Sequence, residues 1–351
     1  MRDSFPDAGL GDDTAVLDSP GGSLLFASDA AVEDVHFRLD FSTVGQAVQK
    51  VVTSNVSDIY AMGGEPSGIV FTSGLPEKCG EEDLVSIVDG LQRSCGVYGM
   101  RLFGGDTVLS PSGYFFDVAI IGSMPEGFAP FRRSGARPGD LLVLFGEVGG
   151  SLAGLRLLEG ISGGGSAGPL DPILPPPGDR LCLHEAGGSL SVDNTRADIA
   201  AMCSAKGLPE GAEEAIALIR RHITPLTLKP PVNGSPEWAA KVTAMIDISD
   251  GLGKDLATLC AESGVGAVIS GEKIPVPAAV ASAMGTDREK LTRFALSSGE
   301  EYVALAAVAP GEAPPGAVVI GAVTEEAGGL LLEDEEGGMR PLPPVGYEHE
   351  F

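Results

Sequence analysis

Two carboxylates and a hydroxyl lie within four residues in the stretch MIDISDGLGKD, residues 245–255, where a strand-like apolar run meets a helix-like one. Ser249 or Asp250 could cap the helix, because a short polar side chain and an acid both suit a helix N-terminus. Asp247 comes before the cap and has no such role. A buried carboxylate there needs a cation, because an unpaired buried charge is costly. The stretch therefore fits either helix capping or a metal or ligand site.

Single aspartates with similar surroundings occur elsewhere, each beside an apolar run; they are Asp12, Asp13, Asp29, Asp58 and Asp106. Any one of them also fits a turn or cap. Asp58 is different, because it lies in the last turns of a predicted helix, where the helix dipole disfavours an acid by about 0.3–1 kcal/mol. A bound cation would reverse that cost. Because Mg²⁺ is held by carboxylates, waters and substrate phosphates, scattered aspartates on different elements indicate a candidate magnesium site.

A possible phosphate-binding turn is FGEVGGSLAGL, residues 145–155, which follows a predicted strand and opens a predicted helix. Backbone N–H groups at such a turn can hold a phosphate. The stretch matches neither GxxxxGK[ST] nor GxGxxG, and the chain contains no HRD/DFG kinase motifs. A phosphoryl-transfer enzyme with this sequence would therefore use neither common scaffold.

The first 130 or so residues alternate between strand and helix patterns. Residues 42–64 show helical spacing, with Ser42 as the expected cap and Gly63 at the end. Residues 81–99 predict a second helix, whose apolar face consists of Leu84, Ile87, Val88 and Leu91. Strands are predicted at residues 23–30 and 67–75 and in the segments MRLFGGDT and YFFDVAIIGSM. This pattern predicts an α/β unit in which helices cover one face of a sheet.

A basic, turn-rich junction at residues 132–140 predicts a domain boundary, with domains at 1–131 and 132–351. Residues 141–146 begin a second α/β unit. Residues 160–209 are rich in glycine and proline and lack a helical period. They predict an insertion or loop, with a short hairpin near RLCLHEAGGSLSV.

Length, charge and cysteine content limit the classes of function that fit the chain. A length of 351 residues favours two domains, and a net charge of −26 argues against nucleic-acid and anionic-membrane partners. A phosphate ligand would need metal ions to offset that charge. The five cysteines are odd in number and form no CxxC, which favours reduced thiols in a cytoplasmic protein. Neither a membrane span nor a signal peptide is visible in the sequence.

The motifs, taken in order, resemble the thiamine-monophosphate kinases, within the superfamily of aminoimidazole-ribonucleotide (AIR) synthetase and selenophosphate synthetase. The resemblance rests on GDDTAVL, SDAAVEDVHF, NVSDIYAMGGEP, GGDT, RRSGARPGD, DISDGLGKDL, SGEEY and GYEHEF. It implies a two-domain α/β (α+β) fold of the AIR-synthetase type. In that fold the N-terminal mixed sheet carries helices on one face and forms a barrel across a homodimer, and a C-terminal α/β domain follows.

The resemblance also implies direct, Mg²⁺-assisted transfer of the γ-phosphoryl group of ATP to thiamine monophosphate. Several Mg²⁺ ions would be held by Asp13, Ser28, Asp29, Asp58, Asp106, Asp247 and Asp250. ATP would contact Tyr98, Gly105, Asp106, Arg133 and Ser249. Thiamine monophosphate would contact His36 and Glu300, and the residues central to catalysis would be Asp106, Asp247 and Asp250.

The motifs that would contact the phosphoryl acceptor depart from the family pattern. The family motif GGEDYEL is SSGEEYVAL here, with Ser298 for glycine and Glu301 for aspartate. Pro344 stands where an aromatic residue often precedes the C-terminal motif. A longer acid and a lost aromatic predict slow turnover. The alternatives are a non-catalytic nucleotide- or thiamine-phosphate-binding protein and a selenophosphate-synthetase-like enzyme. The chain has no cysteine before Cys79 and carries GGDT rather than GGHS, which argues against the latter.

Overall fold

The computed structural model describes residues 11–162, 213–284, 287–342 and 345–347. Within these ranges the chain forms two mixed sheets, of five and seven strands, each with its own hydrophobic core and covering helices. The predicted α/β class, with a mixed N-terminal sheet, is confirmed.

The five-stranded sheet has the order β1-β2-β5-β3-β4, with β3 and β4 parallel and the other pairs antiparallel. Its strands are β1 (Ala15–Ser19), β2 (Gly22–Val32), β3 (Glu65–Leu75), β4 (Arg101–Leu109) and β5 (Phe115–Ser123). Alternate residues of β5 are buried. The sheet therefore has one face against the core and one open face.

Helix α1 (Val44–Ala61) fills the core of this sheet with a continuous valine-rich stripe. The expected cap at Ser42 is wrong. Thr43 is the N-cap, and it forms a capping box with Gln46, while the Ser42 hydroxyl donates to the carbonyl of Arg38. The box satisfies backbone groups at both positions and so determines where the helix begins.

Helix α2 (Glu81–Tyr98) packs beside α1 and ends at Gly99 in the left-handed conformation. Its predicted apolar face is only half correct. Ile87 and Leu91 are buried, but Leu84 and Val88 are 46% and 51% exposed. The helix therefore presents a second apolar stripe that the described residues leave uncovered.

The seven-stranded sheet has the order β12-β11-β8-β10-β6-β9-β7. Its strands are β6 (Leu141–Phe145), β7 (Val242–Asp247), β8 (Gly266–Ser270), β9 (Ala304–Val308), β10 (Val318–Thr324), β11 (Leu330–Glu333) and β12 (Met339–Pro341). The accompanying helices are α3 (Gly150–Ser162), α4 (Glu213–Ile223), α5 (Pro236–Ala239), α6 (Leu252–Ser263), α7 (Ala278–Met284) and α8 (Arg288–Ser297). Edge strand β7 lies against α1 of the first unit, so the two units meet there.

Three expectations fall partly or wholly outside the described residues. Residues 160–162 of the expected insertion complete α3, and the rest of residues 160–209, with the proposed hairpin, is outside. Pro344 is outside as well. The described cysteines, Cys79, Cys95 and Cys260, are free thiols. Among the described helices, none combines the length and apolar character needed to cross a membrane.

Candidate active site between the two sheets

Three predicted metal ligands converge where α1 meets β7. Asp13 precedes β1, Asp58 lies in the last turns of α1, and Asp247 ends β7. One carboxylate oxygen from each lies within 4.8 Å of the others. These residues come from three separate segments of the chain, so only the packing of the two units brings them together.

These three acids repel one another in a buried setting. Burial, reinforced by the charges of Asp247, Asp29 and Asp13, raises the pKa of Asp58 well above its ordinary value. Burial and the charge of Asp13 do the same to the pKa of Asp247. The pKa of Asp13 is also raised by burial, although Arg133 opposes the shift. A divalent cation would favour the ionised forms and relieve the repulsion.

The hydrogen bonds leave part of this group unsatisfied. Ser57 Oγ donates to Asp247 Oδ2 at 2.7 Å. Among the described residues, neither Asp247 Oδ1 nor Asp13 Oδ2 has a hydrogen-bond partner, although both are buried. Since buried polar atoms are nearly always paired, two orphaned carboxylate oxygens in one group fit a bound cation. Oxygen donors are the ligands that Mg²⁺ prefers.

Two adjacent arginines meet two adjacent aspartates at the edge of this group. Arg133 Nη2 donates to Asp13 Oδ1 at 2.7 Å, and Arg132 Nη1 donates to Asp12 Oδ2 at 2.7 Å. The backbone N–H of Arg133 also donates to Asp12. The RR junction is therefore held against the N-terminal unit. Arg133, the expected ATP contact, lies beside the carboxylates.

The DISDG segment does not cap its helix as the capping interpretation predicted. The N-cap of α6 is Gly251, at φ 126°, a backbone conformation that favours glycine. The carboxylate of Asp255 accepts hydrogen bonds from the backbone N–H groups of Gly251 and Asp250. Ser249 and Asp250 are therefore not needed as caps, and they lie half-buried next to Asp247. Asp250 forms an ion pair with Lys254 at 2.8 Å.

The remaining predicted metal ligands divide between the two faces of the first sheet. Asp29 is on the helix-covered face, and its backbone N–H donates to Asn55 Oδ1 of α1. Burial raises its pKa. Ser28 is on the open face, where its hydroxyl donates to Asp117. Asp106 shares that open face, in one cross-strand row with Thr72 and Asp117. The single chain therefore does not bring Ser28 and Asp106 onto the face that carries Asp29.

The other predicted ATP contacts lie apart from the carboxylates. Gly105 is on exposed strand β4, where a Cβ would lie 1.8 Å from the carbonyl oxygen of Phe71, so only glycine fits. The Tyr98 hydroxyl lies 3.0 Å from Thr53 Oγ1 and accepts from the N–H of Thr227. Tyr98 thus joins α2 to the segment after α4.

The two predicted acceptor residues share one partner that the sequence motifs did not identify. Lys50 of α1 donates to Glu300 Oε1 at 2.6 Å and to the carbonyl oxygen of His36 at 3.0 Å. His36 Nδ1 accepts from the N–H of Val32 at 3.2 Å. Lys50 lies with Gln46 and Ser57 on the face of α1 opposite the valine-rich stripe, so the apolar period of the helix gave no signal that this lysine is buried.

The altered residues Ser298 and Glu301 face the start of α3. Glu301 Oε1 accepts from the N–H groups of Gly149 and Ser151 and from the Ser298 hydroxyl, at 2.7, 3.1 and 2.5 Å. The Ser298 hydroxyl also accepts from the N–H of Leu152. The N–H donors considered for a phosphate at this turn are therefore occupied by the chain's own carboxylate. Glu301 is one methylene longer than the family aspartate, and this extra length is accommodated at the start of α3 and not beside the predicted acceptor contact Glu300.

The chain is similar to known families and proteins. Residues 11–124 match the family model of the AIR synthase related protein, N-terminal domain, and residues 177–331 match that of the C-terminal domain. A thiamine-monophosphate kinase of Mycobacterium tuberculosis is 31% identical over 93% of this chain and 82% of its own. One from Pyrococcus horikoshii is 31% identical over 99% and 93%.

Among solved structures, one described as "AaThiL complexed with AMPPCP and TMP" matches with a TM-score of 0.75 and 25% identity. The match covers 99% of this chain and 94% of that one. The expected AIR-synthetase-type fold in two α/β units is thereby confirmed.

Proposed function

The chain belongs to the thiamine-monophosphate kinases of the AIR synthase related family, and on that premise we propose that it phosphorylates thiamine monophosphate with ATP to give thiamine diphosphate. The related structure holds AMPPCP, an ATP analogue, and TMP. The observation that carries the proposal is the group formed by the half-buried Asp58 and the buried Asp13 and Asp247, with two orphaned oxygens and Arg133 alongside.

Phosphoryl transfer needs positioning and neutralisation of charge more than it needs a covalent intermediate. Asp13, Asp58 and Asp247 would hold Mg²⁺, with Asp29 and Asp250 at their margin, and the metal would neutralise phosphate oxygens. Arg133 adds a fixed positive charge, and Ser249 lies at the same junction. His36 and Glu300 would contact the acceptor. With the metal and Arg133 in these roles, a chain of net charge −26 could bind two polyanions, ATP and thiamine monophosphate, side by side.

A homodimer is part of the proposal. Every residue of edge strand β4 is exposed, including Leu102, Phe103, Val108 and Leu109. An exposed apolar edge strand invites pairing with another chain. A second copy would cover the open face that carries Ser28 and Asp106. Sedimentation at micromolar concentration should give twice 35.8 kDa, and a single-chain species would contradict the proposal.

The test of function is product analysis. The purified chain is incubated with ATP, Mg²⁺ and thiamine monophosphate, and thiamine diphosphate is measured by chromatography. Release of ADP should depend on the acceptor and on Mg²⁺. Tight binding of ATP with Mg²⁺, but no thiamine diphosphate at millimolar acceptor, would support a non-catalytic binding protein instead.

A further inference from the structure

Lys50 is a buried cation at the junction of the two units. Its side chain is 7% exposed, and it projects from the helix whose neighbouring residues form the valine-rich core. A buried ammonium group is costly unless it is paired and hydrogen-bonded. Lys50 meets that need with a carboxylate oxygen of Glu300, from the second unit, and the carbonyl oxygen of His36, from the first.

One partner of Lys50, Glu300, lies in a loop with unusual backbone geometry. Glu300 has φ 57°, and Tyr302 in the same loop has φ 51°. Left-handed backbone is unfavourable at non-glycine residues and persists where the surroundings impose it. The N–H of Glu300 donates to the carbonyl of Ser249 at 2.7 Å, so this loop is fixed directly to the DISDG segment.

The second oxygen of Glu300 faces His222. His222 Nδ1 lies 3.4 Å from Glu300 Oε2 and 3.2 Å from Ser151 Oγ. Burial, and then the charge of Lys50, lower the pKa of His222 well below its ordinary value. The imidazole is therefore neutral near pH 7, and Lys50 supplies the positive charge beside Glu300.

We propose that Lys50 is a positioning residue of the acceptor subsite, which fixes the Glu300 carboxylate relative to His36 so that thiamine monophosphate meets both at a set separation. The assignment rests on the proposed function, because His36 and Glu300 are acceptor contacts only in that reaction. Lys50 acts through these two residues rather than on the transferred phosphoryl group. Its loss therefore affects the acceptor and leaves ATP binding unchanged.

The experiment measures both substrates in Lys50→Met. The KM for thiamine monophosphate should rise about tenfold or more, because Glu300 and His36 would no longer be held at a set separation. The KM for ATP, and calorimetric binding of an ATP analogue with Mg²⁺, should stay within about twofold. Lys50→Arg keeps the charge and should recover part of the acceptor affinity. A merely structural lysine would change both substrates together.

Lys229→Met is the matched control. Lys229 also forms an ion pair across the two units, with Glu65, and the pair is partly exposed. Neither KM should change in this variant. The double variant Lys50→Met/Glu300→Gln removes both charges of the ion pair, so neither is left buried without a partner. It replaces the single variant in the test if Lys50→Met does not fold. Its acceptor KM should equal that of Glu300→Gln. A further tenfold rise would show that Lys50 acts independently of Glu300 and would overturn the proposal.

The outcomes separate the two claims. A wild-type chain that produces no thiamine diphosphate overturns the proposed function, whatever the lysine variants do. A folded Lys50→Met with wild-type affinity for thiamine monophosphate overturns the role of Lys50 and leaves the function intact. An equal loss of affinity for ATP and for thiamine monophosphate in Lys50→Met would also overturn the role of Lys50 and leave the function intact.

Discussion

Buried carboxylates occur at two places in this chain, and their surroundings differ. At the start of α3, Glu301 accepts three hydrogen bonds through one oxygen from groups of the protein. At the junction of α1 and β7, three aspartates share Arg133 and Ser57 as donors and leave two buried oxygens without a partner.

The difference separates a structural acid from a ligand site. Glu301 completes a helix N-terminus, so its donors are fixed by the fold and nothing else is needed. The aspartates destabilise one another, and Arg133 and Ser57 offset the repulsion only in part. A buried acid that the chain satisfies is explained by folding, whereas acids that the chain leaves unsatisfied point to a ligand.

The largest expected effect is at the aspartates. Asp58→Asn should lower Mg²⁺-dependent turnover by about a hundredfold or more, because it removes a carboxylate that would hold the metal beside the reacting phosphates. The metal-free protein should be as stable as wild type or slightly more so, since one of three repelling charges is gone. Turnover assays and thermal melts in EDTA measure the two effects.

Asp89→Asn in α2 is the control, since it makes the same change on a neighbouring helix away from the site. It should leave turnover unchanged. If Asp58→Asn keeps wild-type turnover, or is clearly less stable than wild type in EDTA, the aspartate group is not a ligand site distinct from the structural acid Glu301.

Glu301→Ala should show the opposite pattern. The free energy of unfolding should fall by about 3 kcal/mol, because two backbone N–H groups and the Ser298 hydroxyl lose their acceptor in a buried place. Urea denaturation measures the loss, with Mg²⁺ present or absent. A stable Glu301→Ala would mean that water replaces the carboxylate, and the site would not be structural.

The dependence of stability on Mg²⁺ and pH should distinguish the aspartate group from Glu301 in the wild-type protein. The raised pKa values of Asp13, Asp58 and Asp247 mean that the native state holds protons that the unfolded state has released. Stability in EDTA should therefore fall as pH rises above about 4. Mg²⁺ binds the ionised acids, so its stabilisation should grow with pH and reach about 2.7 kcal/mol at a hundredfold excess over Kd.

Glu301 supplies the internal comparison for that experiment. Burial raises its pKa from 4.5 to about 7, so the stability it contributes is complete below pH 4.5 and is lost as pH rises through 7. Glu301→Gln should flatten this part of the profile with or without Mg²⁺, whereas Asp58→Asn should weaken the response to Mg²⁺. A Mg²⁺ response that Asp58→Asn leaves intact would contradict the assignment.

The smallest effect concerns the two altered residues of the acceptor motif. Ser298→Gly and Glu301→Asp each break the hydrogen-bonded pair, and together they restore the family residues. The double variant should be more stable than the sum of the two losses predicts, by about 1 kcal/mol. A double-mutant cycle from urea denaturation measures this coupling, and strict additivity would show that the two changes are independent.

Local pattern predicted much of the fold. The apolar period of residues 42–64 gave α1, and strand-like runs gave β2, β3 and β5 close to their observed bounds. The errors occurred at ends and surfaces. Thr43 rather than Ser42 caps α1, and Val88 is exposed although it follows the helical period. Adjacent residues can compete for one cap, and period alone does not say which apolar stripe another element covers.

By itself, the sequence determined the α/β class, the positions of the carboxylates at the ends of apolar elements, and the family, because these depend on neighbouring residues and on motif order. Tertiary structure alone decided that Asp13, Asp58 and Asp247 share one place, that Asp255 rather than Ser249 or Asp250 satisfies the start of α6, and that Lys50 joins His36 to Glu300. The reason is physical. Helix and strand preferences arise within a few residues, whereas the burial, charge and hydrogen bonding of a side chain depend on segments that only packing brings together.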